Sequence, residues 1–171
     1  RSEVSVRSRP GRPGAAAAGS GREEAERPGR VRVSRPFVAG AAVAGAREVT
    51  PLDDGWRFLR ADAPGASATA FDDSGWESVS LPHDWAIKGP FYPEVNAIVG
   101  GGMGRLPVQG VGWYRRKLSV GPADQGKSIF LDIDGAMSYA MVWLNGHLVG
   151  GWPYGYNSFR LDLTPYLHPG P

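Results

Sequence analysis

No cysteine occurs among the 171 residues, which removes disulfides, thiolate nucleophiles and thiolate metal ligands together. That absence leaves the compartment open, because a domain with a large core needs no disulfides. No apolar run approaches the roughly 18 uninterrupted residues of a membrane-spanning helix. Histidine is scarce: His83, His147 and His168 form no i,i+4 pair and keep no carboxylate spacing that suits a metal. After residue 50 the glutamates are Glu77 and Glu94, and neither has a nearby carboxylate in sequence. A carboxylate pair for acid–base work is therefore not visible. Sustained 3.6-residue periodicity is missing as well.

What is present divides at about residue 50. The whole chain carries a formal charge of +2 and a pI near 9.1. Residues 1–50 hold ten arginines against five glutamates, while nine basic and twelve acidic residues follow. Of the aromatics, Phe37 alone precedes residue 51. Basic charge and aromatic rings thus occupy different halves, whereas a nucleic-acid reader combines them on one face; nucleic acid is not an expected partner. Residues 1–36 are Arg, Gly, Pro, Ala and Ser with few large apolar side chains. Such composition cannot offset its ordering entropy by burial, so disorder is expected there. Arg30, Arg32 and Arg35 then precede the apolar run Phe37–Ala46, which ends Ala44-Gly45-Ala46. That pattern reads as a signal sequence over about 30–46, or as an Ala/Gly linker. The first reading places the protein outside the cytoplasm, secreted or periplasmic, and the second leaves it cytoplasmic. The expected division is a leader over 1–48 and a folded domain over 49–171.

The second part reads as short strands between turns. Gly55–Arg60, Trp76–Leu81, Val111–Val120, Lys127–Asp134, Ser138–Leu144 and Asn157–Leu163 carry the pattern. Asn145-Gly146 between two apolar runs is a hairpin signal, since both turn positions take positive φ. Many short strands without connecting helices predict an all-β sandwich of the jelly-roll kind. Tyr166–Pro171 reads as a turn toward a further strand, so the sandwich is expected to be incomplete at its C-terminal end.

Few segments carry chemistry. Asp132 and Asp134 share one face of a strand, which reads as its solvent side. Asp72-Asp73 sits in a turn, where Asp bonds local backbone. Gly100–Gly104 lacks the Gly-Lys-Ser/Thr of a phosphate loop and precedes no helix. The segment Leu81-Pro82-His83-Asp84-Trp85 is more informative. Polar groups beside an indole suit a sugar, whose C–H face packs on the ring while hydroxyls bond the carboxylate. Alternatively Trp85 plugs the core and His83 or Asp84 bonds loop backbone; residue types alone favour this second reading. Trp152-Pro153-Tyr154-Gly155-Tyr156 reads as a stacking platform, an interface or core.

Several segments in one order resemble the N-terminal domain of family 2 glycoside hydrolases, bacterial β-galactosidases most of all. They are Asp72–Trp76, Leu81–Trp85, Gly110–Arg115, Val142–Gly146, Pro153–Phe159 and Asp162–Leu167. The resemblance implies a galactose-binding-like jelly roll ahead of an immunoglobulin-like domain and a TIM barrel, with a galactoside-type substrate. The parent enzyme would be retaining, its two catalytic carboxylates would lie in the barrel, and no catalytic residue falls in this chain. By the same resemblance Asp84, with His83 and Trp85, is the candidate sugar contact, and Gln109 is a second. No metal or cofactor is expected. Two other readings stand beside it: a free-standing carbohydrate-binding module, and an interaction domain without sugar affinity.

Overall fold

The computed structural model describes residues 2–8, 31–35, 47–87 and 110–167. Their strands are β1 (Ser2–Ser8), β2 (Val31–Arg35), β3 (Glu48–Pro51), β4 (Trp56–Leu59) and β5 (Glu77–Val79). After these come β6 (Gly112–Leu118), β7 (Phe130–Ile133), β8 (Ala140–Leu144), β9 (His147–Trp152) and β10 (Phe159–Asp162). Single 3-10 turns lie at Pro122–Asp124 and Thr164–Tyr166. The strands form two sheets, ordered β5-β4-β6-β1-β8-β9 and β10-β7-β2-β3. The pairing is antiparallel throughout. The chain is all-β, as its pattern of short apolar runs requires.

Alternation decides which side chains face the core. Val4, Val6, Trp56, Leu118, Val142 and Leu144 from the larger sheet meet Val31, Leu131 and Ile133 from the smaller one. Ile129 and Leu163, just outside the strands, fill the same cluster. Each fully buried Val, Leu or Ile contributes about 1.5–3 kcal/mol. The Asn145-Gly146 signal is realised between β8 and β9, with φ of +51° and +84° at the two turn positions. Those values match a primed turn, whose twist suits the flanking strands.

The larger sheet is covered on its other face too. Ala63, Ala66 and Trp76, from the segment between β4 and β5, pack on Trp113 of β6. Trp113 stacks on Trp143 of β8 at 5.3 Å. β6 is therefore buried on both sides, and Arg115 is held wholly inside. Its guanidinium carries five donors. Nε donates to Asp73 Oδ2 at 2.9 Å, and Nη1 donates to the Ala68 carbonyl at 3.1 Å and to that of Ala66. Nη2 pairs with Glu3 of β1. One side chain thus ties β1, β6 and the covering segment together.

The expectation of disorder over residues 1–36 is corrected at β1 and β2. β1 runs between β6 and β8, pairing with both. β2 runs between β7 and β3. A strand entering an existing sheet needs few apolar residues, because Val4 and Val6 complete a core that other strands build. The arginines Arg32 and Arg35, read as the basic flank of a signal sequence, belong to β2. The apolar run Phe37–Ala46 lies outside the described residues, and a chain cut after Ala46 would lose β1 and β2 together. β3 is short and mostly exposed.

Candidate functional site

The Leu81–Trp85 loop leaves β5 and folds over one end of the sandwich. The Leu81 amide donates to the Asp53 carbonyl at 2.7 Å, fixing its start, and the Leu81–Pro82 bond is cis. Pro82 has no N–H for a further ladder bond, so strand pairing stops there. Beyond it the loop builds a layer of rings. The His83 ring meets Phe58 of β4 edge-on at 4.7 Å, and its Nδ1 is hydrogen-bonded to the Tyr114 hydroxyl at 3.0 Å. Phe58 and Tyr114 are register partners on β4 and β6, which places their rings 4.8 Å apart.

Trp85 continues the layer, stacked on Phe58 at 6.5 Å. The Arg60 guanidinium sits over the indole at 4.8 Å, a cation–π contact worth about 0.5–1 kcal/mol where exposed. Room for the indole comes from Gly112: a Cβ there would lie 3.3 Å from Trp85 Nε1 and from Phe58 Cε2. Asp84 is exposed, and its Oδ1 accepts the Ala86 amide at 2.9 Å, closing a tight turn. The loop thus presents a half-buried indole flanked by one exposed carboxylate and one exposed guanidinium.

Burial of the Tyr114 phenol raises its pKa above the ordinary value, and the negative charges of Asp84 and Glu77 add to the effect. The hydroxyl stays protonated and serves as a fixed hydrogen-bonding group for His83. The geometry orients rings and presents polar rims. Glu77, the other charge that acts on this phenol, stands exposed on β5.

Sequence reasoning named His83, Asp84 and Trp85, and the structure places all three in this loop in different roles. His83 turns inward to Tyr114, Asp84 faces solvent, and Trp85 is half-buried. Gln109 lies outside the described residues, as do Glu94, His168 and Gly100–Gly104. Phe58, Arg60 and Tyr114 were missed. Their signal was the β4/β6 register, which motif reading along the chain does not supply. Among the described residues no group of three or more His, Asp or Glu side chains is placed to hold a metal.

Asp132 is bound by Arg160 (Nε donating to Oδ1 at 2.5 Å) and by Arg47 (Nη2 donating to Oδ2 at 3.1 Å). With Asp134, Ser158 and Phe159 they line an open cleft of about 360 Å³. The hydrogen bond to Asp132 raises the Arg160 pKa. Tyr139, Trp152, Tyr154 and Tyr156 are exposed together near the outer end of β9, Tyr156 by 69%. The Tyr139 amide donates to the Pro153 carbonyl at 3.0 Å, which joins the two loops carrying them.

The family described as glycosyl hydrolases family 2, sugar binding domain, matches residues 49–171. The β-galactosidase BoGH2A of Bacteroides ovatus is 46% identical over 121 residues, covering 71% of this chain and 14% of that protein. A putative β-glucuronidase of Formosa agariphila is 36% identical over 121 residues, covering 71% and 11%. Among solved structures, a β-glycosidase from Bacteroides vulgatus superposes with a TM-score of 0.62 at 37% identity, over 70% of this chain and 15% of that one. The chain spans about one seventh of the length of such relatives.

Proposed function

We propose that this chain, which belongs to the sugar binding domain of glycosyl hydrolase family 2, shapes the substrate site of a β-galactosidase-like retaining glycosidase without supplying its catalytic carboxylates. The observation that carries this reading is the 46% identity to a β-galactosidase across the segment that holds the Leu81–Trp85 loop. In such an enzyme a carboxylic acid protonates the leaving oxygen while a carboxylate forms the glycosyl intermediate. Neither role has a resident here. The share of this chain is orientation: Trp85 offers a ring to the C–H face of a sugar, and Asp84 offers a carboxylate to its hydroxyls. Such contacts accelerate the reaction only as far as they favour the transition state. The jelly-roll description belongs to this proposal and is supported by two antiparallel sheets packed face to face. So do the partners: a galactoside-type carbohydrate, and immunoglobulin-like and barrel domains against which the loop end would rest.

A second reading, a free-standing carbohydrate-binding module, is favoured by the exposed Tyr139, Trp152, Tyr154 and Tyr156. Titrating the chain with galactose and lactose while following Trp fluorescence separates the two. The expected result is no hydrolysis and no saturable change, because one loop lacks the opposing wall of a pocket. Saturable binding at millimolar concentration or tighter overturns the leading reading in favour of the module.

A further inference from the structure

Strand register brings two surface features to one end of the sandwich. Ser8 of β1 is level with Gly112 of β6, and Arg7 is level with Met141 of β8. The same row therefore runs on to Ala140 and, through its pairing, to Trp152 of β9. Gly112 lies against Trp85 of the Leu81–Trp85 loop. Trp152 leads into the segment that exposes Tyr154 and Tyr156. Three strand spacings separate the ends of this row, so the indole loop and the aromatic segment stand about 14 Å apart.

Two interlocked loops carry the aromatic rings, residues 134–139 between β7 and β8 and residues 153–158 between β9 and β10. A Cβ on Gly155 would lie 2.9 Å from Met137 Cα, and one on Gly135 would lie 3.0 Å from the Gly155 carbonyl oxygen. Tyr139 takes a φ of +51° and still shows its ring to solvent. A bulky side chain rarely adopts that backbone, and it persists only where the surroundings impose it. Tyr154 leans on Tyr156 at 5.7 Å, and Trp152 stacks on Phe159 at 6.5 Å. Phe159 in turn lines the open cleft together with Asp134 and Ser158, which stand at the roots of the two loops. Rings that accept C–H faces, beside groups that bond hydroxyls, are what a pyranose needs.

We propose that this end of the sandwich holds an extended oligosaccharide, one unit on the Leu81–Trp85 loop and a later unit on the rings of Tyr139, Trp152, Tyr154 and Tyr156. This rests on the sugar contact assigned to Trp85 and Asp84 and adds the substrate class, a chain of several sugar units. A monosaccharide or disaccharide reaches one wall only. A longer chain gains its second contact intramolecularly, at an effective concentration on the order of millimolar. Affinity therefore rises in a step, at the length that first spans both walls.

The full chain is titrated by calorimetry with β-linked galacto-oligosaccharides prepared from galactan, from the disaccharide to the hexasaccharide. The disaccharide is expected to give no saturable heat, and affinity is expected to rise about tenfold or more once the ligand spans both walls. Tyr154→Ala and Tyr156→Ala change exposed positions outside the core. Each should return the hexasaccharide to the behaviour of the disaccharide and leave the thermal melt unchanged. Trp85→Ala should do the same to binding from the other wall. Loss in the Trp85 variant with none in the tyrosine variants overturns the two-walled surface and leaves the Trp85 contact standing. Loss in the tyrosine variants alone overturns both. Affinity that ignores length, or no binding at any length, overturns the extended ligand. Self-association in sedimentation that Tyr156→Ala abolishes would give the rings to a second copy and overturn it as well.

Discussion

Glu3 and Asn145 exchange two hydrogen bonds across 142 positions of sequence, each amide reaching the other residue's oxygen. Asn145 is also the left-handed first residue of the β8–β9 turn, and its Nδ2 donates to the Tyr166 carbonyl at 2.9 Å. One side chain therefore sets the hairpin, grips β1 and holds the segment after β10. Asn145→Gly separates these duties, since glycine takes the positive φ without strain but offers no side-chain oxygen or amide. The variant is expected to keep its fold and lose about 1–3 kcal/mol, the cost of leaving part-buried groups unpaired. Urea denaturation gives the loss, and amide exchange at Glu3 should quicken selectively.

Arg115→Ala is expected to cost more, about 3–5 kcal/mol, because it leaves Glu3 and Asp73 without their buried counter-charge. The Ala66 and Ala68 carbonyls lose their donor in the same step. Arg115→Lys should rescue little, since an ammonium lacks the planar fork that serves several acceptors at once. The covering segment between β4 and β5 should then become sensitive to protease before the sheets melt. Equal protection of that segment in wild type and variant would refute the role assigned to Arg115.

Much of this architecture is legible from residue order. The apolar runs that become β4 to β10 stand between Gly, Pro, Asn and Asp turn residues, and Asn145-Gly146 announces its hairpin. β1 and β2 are not legible that way. Ser-Glu-Val-Ser-Val-Arg-Ser holds two valines, too few to predict a strand alone, and its order comes from partners more than 100 residues away. Arg115 is opaque for the same reason: on an alternating strand it reads as a solvent-facing residue until the second cover over the sheet is known. At the loop site, His83 to Trp85 are conspicuous as types. Their roles follow from Phe58, Tyr114 and Gly112, which only the β4/β6 register brings near.

Gly112 is the most economical way to disturb that loop. A methyl group there would sit 3.3 Å from the indole nitrogen of Trp85 and from the Phe58 ring, closer than comfortable van der Waals contact. Gly112→Val adds more bulk and is expected to push Trp85 outward, breaking its stack on Phe58 and its contact with Arg60. Global stability should fall by about 1–3 kcal/mol, the usual cost of overpacking. Trp85 should become quenchable by acrylamide, a change read against a Trp85→Phe control. An indole left in place, with unaltered quenching, would show that the loop is not held by this contact.

The last expectation concerns pH. Burial raises the Glu3 carboxyl above its ordinary value of 4.5, outweighing the attraction of Arg115, while Asp73 pushes in the same direction as burial. The folded state therefore holds this proton more tightly than the unfolded chain does. Stability from Glu3 is full below pH 4.5 and falls as pH rises through the raised folded value. Asp72 works the other way: the Ser74 amide lowers its pKa, so its contribution is present above 3.8 and lost on acidification. Glu3→Gln keeps an oxygen for Arg115 and removes the titration. The stability difference, wild type minus Glu3→Gln, should accordingly shrink as pH rises from 4.5, in urea midpoints taken at constant ionic strength. A difference that grows over that range would mean the ion pair with Arg115, and not burial, governs the carboxyl that anchors β1.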